Sequence, residues 1–141
     1  MKHLLKQLSI LGAIVAAIWL FTAWPRLNDV ETGKTPEYPD LQVRDYGANP
    51  DSVVRAVKAV AGRLARWEIV GSGNGPAGSE IQAVKALPLL PLKYDVQVRL
   101  RRQKGRTYVS VRSKSRTGPW DFGQNARNIR ELFTALDHEV F

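Results

Sequence analysis

The chain contains no cysteine, which excludes structural disulfides, thiol chemistry and a lipid-modified cysteine. Histidine is nearly absent: His3 lies close to the start and His138 close to the end. No Ser, His and Asp set and no zinc-ligand cluster can therefore be assembled from the body of the chain. No catalytic residue, cofactor or metal is expected, and the chain reads as a non-enzyme. Acids are the scarcer charge, with 13 Asp and Glu against 21 Lys and Arg and a net charge of +8. Such a surplus favours anionic partners. With 141 residues there is room for one domain of ordinary size.

One long apolar run is present. Leu8 to Trp24 carries no charge and no proline over 17 residues. As a helix it would measure about 25 Å, against a hydrocarbon core of about 30 Å. Leu4, Leu5 and the interfacial rings of Trp19 and Trp24 make a single span feasible. The end of the run lacks the small-residue pattern of a cleavage site, because Phe21 or Leu20 stands where a small side chain is needed and Trp24-Pro25 follows Ala23. Residues 1–24 are therefore expected to be a transmembrane signal anchor. Lys2 and Lys6 place the N-terminus in the cytoplasm by the positive-inside rule. The expected location is the inner membrane, single-pass, with a periplasmic domain; a cleaved, periplasmic product is the alternative. This topology argues against nucleic acid as a partner.

Residues 25–37 are polar, contain proline and read as a linker, with the folded unit expected over 38–141. Leu41 to Tyr46 reads as an extended segment, a candidate edge strand. Asn49-Pro50-Asp51 is a helix start: an N-cap, a proline at the first helical position and an acid near the positive end of the dipole. Val53, Val57, Val60, Ala61 and Leu64 then form one apolar stripe, and the helix should stop near Arg66. Trp67 to Val70 reads as a short strand, Gly71 to Gly78 as a loop, and Glu80 to Ala86 as a strand or a short helix. Gly73, Gly75 and Gly78 have the spacing of a dinucleotide fingerprint, but Pro76 interrupts the turn and Pro88 leaves no room for a full-length helix. Nucleotide binding is not expected. Two prolines make Leu87 to Leu92 an apolar loop. Leu87, Leu89, Leu90 and Leu92 either plug the end of the core or form an exposed apolar contact.

The clearest β pattern follows. Tyr94, Val96, Val98 and Leu100 alternate with polar residues, as do Thr107, Val109, Val111 and Ser113, with Lys104-Gly105 at the turn. A two-residue loop sets Leu100 opposite Val109, Val98 opposite Val111, Gln97 opposite Arg112 and Asp95 opposite Lys114. The last helix is expected to begin at Asp121, with Gln124 in a capping box. It should bury Phe122, Ala126, Ile129, Phe133 and Leu136, and pair Arg127 with Glu131. The fold class is α+β: a small antiparallel sheet of about four to five strands with two helices on one face, preceded by the transmembrane helix.

Tyr38-Pro39-Asp40-Leu41, Trp67-Glu68, Asp95-Val-Gln-Val-Arg99, Val111-Arg-Ser-Lys-Ser-Arg116 and Asp121-Phe-Gly-Gln-Asn-Ala-Arg127-Asn-Ile-Arg130 carry a resemblance. From Tyr38 to Leu136 the chain resembles the uncharacterised bacterial and plastid family catalogued as domain of unknown function 1499. The resemblance implies a compact α+β domain, commonly behind a membrane segment, and no established activity. Many members carry paired acids before the first hairpin strand, where this chain has Tyr94-Asp95. A metal site built on paired acids is accordingly not expected.

Lys93 to Arg116 holds nine Lys and Arg and one acid, Asp95. Arg99, Arg101, Arg112, Lys114 and Arg116 all alternate away from the apolar side, and are the candidate anion- or partner-binding residues. The expected function is a membrane-anchored, non-catalytic interaction or accessory module. Its basic hairpin face would bind anionic lipid or an acidic surface of a membrane-protein complex. The alternative is a carrier of a small amphipathic ligand held between sheet and helices. A third reading is a hydrolase on acidic substrates through Asp95 and Asp121.

Overall fold

The computed structural model describes residues 1–139. Helix α1 (Lys2–Thr22) has no buried residue. It is long and apolar enough to cross a membrane, a property signal sequences share. It stops at Thr22, short of Trp24.

Six strands form one antiparallel sheet: β1 (Asp29–Glu31), β2 (Arg44–Tyr46), β3 (Trp67–Gly75), β4 (Gly78–Ala86), β5 (Lys93–Gln103) and β6 (Arg106–Ser115). Their order is β1-β6-β5-β4-β3, and β2 also pairs with β6. Helices α2 (Pro50–Arg63) and α3 (Gln124–Asp137) cover one face. The first packs on β3 to β5, the second on β6 and β1. The α+β expectation holds, with more strands than foreseen.

The extra strand lies in the stretch expected to be a linker. Asp29, Val30 and Glu31 pair with Lys114, Ser113 and Arg112 of β6, and Val30 is fully buried. The Thr32 hydroxyl accepts the Val111 N–H at 3.0 Å. Three alternating residues are too few to show a period of two; their partner on β6 makes them a strand. Gly71 to Gly78 is likewise not a loop. Strand β3 continues to Gly75 and pairs back onto β4 from Gly78. A Cβ at Gly78 (φ +119) would collide with the Leu100 carbonyl oxygen. Only glycine lets β4 approach β5 there.

The main hairpin has the expected register throughout, Leu100 opposite Val109 and Asp95 opposite Lys114 included. Lys104 and Gly105 both have positive φ, 49 and 78°, as a type I′ turn requires. Helix α2 begins as its sequence dictates, with Asn49 Oδ1 accepting the Ser52 N–H at 2.9 Å and Pro50 in the first turn.

Helix α3 departs in three respects. Its N-cap is Gly123, not Asp121. Asp121 sits just upstream, yet its carboxylate accepts the N–H groups of Gly123 at 2.8 Å and Asn125 at 2.9 Å. Phe122 is outside the buried stripe, 36% exposed, while Asn125, Asn128 and Leu132 are inside it. Arg127 does not pair with Glu131. Glu131 receives Lys85 Nζ and Trp67 Nε1, each at 3.0 Å, and Arg127 donates to Gln124 and to the Phe122 carbonyl. Between sheet and helices, Val53, Val57, Ile81, Val98, Val111, Ile129 and Leu132 are buried to 1% exposure or less. These side chains belong to one apolar cluster between the sheet and the helices.

Candidate functional site

Strand alternation puts Arg99, Arg101, Arg112, Lys114 and Arg116 on the helix-free face of β5 and β6, in one stripe. The face is not uniformly basic. Strand β1 brings Asp29 and Glu31 alongside it. Arg112 Nε donates to Asp29 Oδ1 at 2.9 Å, and its Nη2 to the other oxygen, a two-pronged pair. This guanidinium, with Lys114 adding to it, holds the Asp29 carboxyl below its ordinary value. Arg116 grips Asp95 in the same manner, at 2.7 Å. Arg99 reaches Glu31 at 3.5 Å and Glu80 at 3.8 Å, and donates to Gln97 at 2.6 Å. Three of the five candidate cations are thus committed to acids of their own sheet.

Arg101 and Lys114 make no ion pair within 4 Å among the described residues. Arg101 belongs with two cations not singled out from the sequence, Arg102 and Lys104, which are also exposed and also without an acid at that distance. They flank the β5–β6 turn, with Arg101 and Arg102 on opposite faces of the strand, and the next cation, Arg106, pairs with Asp45. The signal for them was present, since cations surround the turn glycine, but alternation directed attention to the face rather than the tip.

A second region lies at the opposite end of the hairpin. Leu87, Leu90, Leu92, Tyr94, Trp120 and Phe122 line an open cleft of about 450 Å³. Leu89, beside it, is 92% exposed, and Leu90 is 57% exposed. The four leucines are thus a rim and an outward tip rather than a core plug. The Trp120 and Phe122 rings stack at 4.5 Å between centroids. Phe21, in the last turn of α1, contacts both, at 5.5 and 6.0 Å. The chain leaving α1 is tied to this end. Trp120 Nε1 donates to the Pro25 carbonyl at 3.1 Å, and the Asp121 N–H to the Leu27 carbonyl at 2.8 Å.

The motif residues that carried the resemblance meet beneath α3, inside the domain. Ser113 Oγ donates to Asn125 Oδ1 at 2.7 Å, and Asn128 Nδ2 donates back to Ser113 Oγ at 3.2 Å. Asn125 Nδ2 reaches Ser115 Oγ at 3.2 Å, and Gln124 donates to Asn128 at 2.8 Å. Arg130 pairs with Asp40 at 2.8 Å and lies over the Tyr38 ring. These blocks act as an internal clamp between α3, β6 and the segment around Tyr38. Tyr38 differs: its hydroxyl is buried and has no hydrogen-bond partner among the described residues. Burial first, then the Asp121 charge, push both Tyr38 and Tyr94 above the ordinary phenol value.

Asp95 and Asp121 are not brought together. Asp95 lies on the helix-free face with Arg116, and Asp121 on the covered side at the start of α3. Among the described residues no group of three or more His, Asp or Glu could hold a metal ion.

The model of the family described as "Protein of unknown function (DUF1499)" matches residues 20–136. The chain belongs to this family. The match begins well before Tyr38, in keeping with the place of β1 and of residues 25–28 within the fold. No curated protein matches the chain. A solved structure titled "Crystal structure of Ara h 8.0201" shares 14% identity, over 77% of this chain and 94% of that chain, with a TM-score of 0.40. Similarity at that level carries no functional argument.

Proposed function

We propose that this DUF1499 member is a membrane-anchored, non-catalytic interaction module whose basic hairpin tip engages an acidic surface of a membrane-protein complex. Helix α1 serves as a single-pass anchor, with Lys2 and Lys6 on the cytoplasmic side of the inner membrane and the domain in the periplasm. The observation that carries the reading is the division of labour among the cations. Arg99, Arg112 and Arg116 are neutralised by Asp29, Glu31, Glu80 and Asp95. Among the described residues Arg101, Arg102 and Lys104, all close to the turn, are exposed and make no ion pair within 4 Å; Lys114 is the unpaired cation on the face itself.

Position favours a protein over the chain's own bilayer as the acidic partner. Tyr94 lines the cleft that α1 reaches, and Gln103 ends the same strand about 30 Å away at 3.3 Å per residue. Guanidinium forks at such a tip suit carboxylates, and electrostatic complementarity would set the rate and specificity of docking.

The test is co-purification from native membranes in mild detergent. Arg101→Glu, Arg102→Glu and Lys104→Glu combined should reduce recovery of the partner complex at least tenfold. The same charge change on and just after α2, Arg55→Glu, Lys58→Glu and Arg66→Glu combined, should leave it unchanged. Equal loss in both variants would reduce the effect to net charge and overturn the tip as the site. Retention on anionic vesicles lost only in the tip variant would assign it to lipid instead.

A further inference from the structure

The uncharged part of α1, Gln7 to Thr22, measures about 24 Å, short of a hydrocarbon core of about 30 Å. Short spans are accommodated by bilayer thinning or by snorkelling of flanking residues such as Lys6. This chain has another means, because no free linker follows α1. The Trp24 ring packs so closely on Gly123 that a Cβ there would lie 2.6 Å from it, and Arg127 lies over the same ring at 5.2 Å. With Pro25 and Leu27 hydrogen-bonded to Trp120 and Asp121, the cleft is held at the level where α1 ends.

We propose that Leu89 and Leu90, with Trp120 and Phe122, form a second, shallow membrane contact that completes the span. The occupant of this surface is the interfacial layer of the bilayer that α1 crosses. Three features specify it. Phe21 of α1 touches the aromatic pair directly, so the apolar surface is continuous from helix to domain. The pair and the leucines bound one cleft, with Leu89 projecting beyond it. Cations lie around the patch at headgroup depth: Lys93 is exposed next to Leu92, Arg26 lies over Trp120 at 5.3 Å, and Arg127 lines the cleft. The one acid in the lining, Asp121, is buried and turned to the N–H groups of Gly123 and Asn125. Stacked indole and phenyl rings beside cations match the composition of the headgroup boundary. The contact fixes the tilt of the domain and with it the height of the hairpin tip.

The inference rests on reading α1 as a membrane anchor, and one experiment separates the two. Because the chain has no cysteine, single nitroxide labels can be placed on the full chain at Leu11→Cys, Leu89→Cys and Lys104→Cys. Leu89 is almost fully exposed, so its replacement leaves the fold intact. In vesicles of phosphatidylcholine with phosphatidylglycerol, collision with oxygen against a water-soluble nickel chelate reports depth. The label at 11 should be deep and that at 104 aqueous. The label at 89 should be several-fold less accessible to nickel than that at 104. A label at 89 as accessible as that at 104, with 11 still in lipid, overturns the second contact and spares the anchor. An aqueous label at 11 overturns both.

Discussion

Tyr38 and Asn125 show how single polar atoms behave differently under the same degree of burial. The Tyr38 hydroxyl has no hydrogen-bond partner among the described residues, so removing it forfeits no hydrogen bond seen there. Tyr38→Phe is expected to leave stability unchanged or raise it by up to about 1 kcal/mol. Asn125 joins Ser113 and Ser115 through its amide. Asn125→Ala should cost about 2–3 kcal/mol, because the Ser113 hydroxyl loses its acceptor and Ser115 Oγ a donor in a dry site. Denaturant unfolding of both variants in micelles measures the contrast, and equal losses would contradict it. Asp29 adds a pH dependence. Its pKa is lowered below 3.8 by Arg112, so its contribution is complete above that value and disappears as pH falls through the lower, folded-state value. The stability gap between the wild type and Asp29→Asn should therefore be constant from neutrality to about pH 5 and close below about pH 4. A gap that persists at pH 2 would mean that the pair is not its source.

Among the elements, β4 depends on one residue. Gly78→Ala places a methyl group against the Leu100 carbonyl at a positive φ, and should destabilise the domain by more than about 2 kcal/mol. Hydrogen exchange should show the β4–β5 amides losing protection before those of α3. Elements with a dense local signal were legible from sequence. Proline after Asn49 marked the start of α2, and eight alternating residues on each side of the turn at Lys104-Gly105 set the register of β5 and β6. Elements defined by their partners were not. Asp29-Val30-Glu31 is a strand only because β6 has an open edge. Glycines at 71, 73 and 75 look like loop punctuation, although β4 extends far enough to pair with them. The start of α3 was misplaced because Asp121 has the chemistry of a cap while sitting in a turn closed by Gly123. The candidate site was half legible for the same reason. The cations of Arg112 and Arg116 stood out, but their neutralising acids lie far away in sequence, on β1 and on the neighbouring strand.

On the scale of the whole molecule, the hairpin separates two surfaces of different chemistry. One end is apolar and aromatic and is joined to α1 without slack. The other carries exposed cations: among the described residues Arg101, Arg102 and Lys104 make no ion pair within 4 Å, while Arg106 beside them pairs with Asp45. The most direct measurement is lysine-directed crosslinking in native membranes, comparing Lys104 at the tip with Lys93 at the cleft, as salt is raised. Screening shortens from about 10 Å at 0.1 M to about 3 Å at 1 M. The proposed function predicts links from Lys104 to acidic segments of one membrane protein that fade over this range, and none to that protein from Lys93. Links from Lys104 that are indifferent to salt, or a partner reached equally from Lys93, would contradict it.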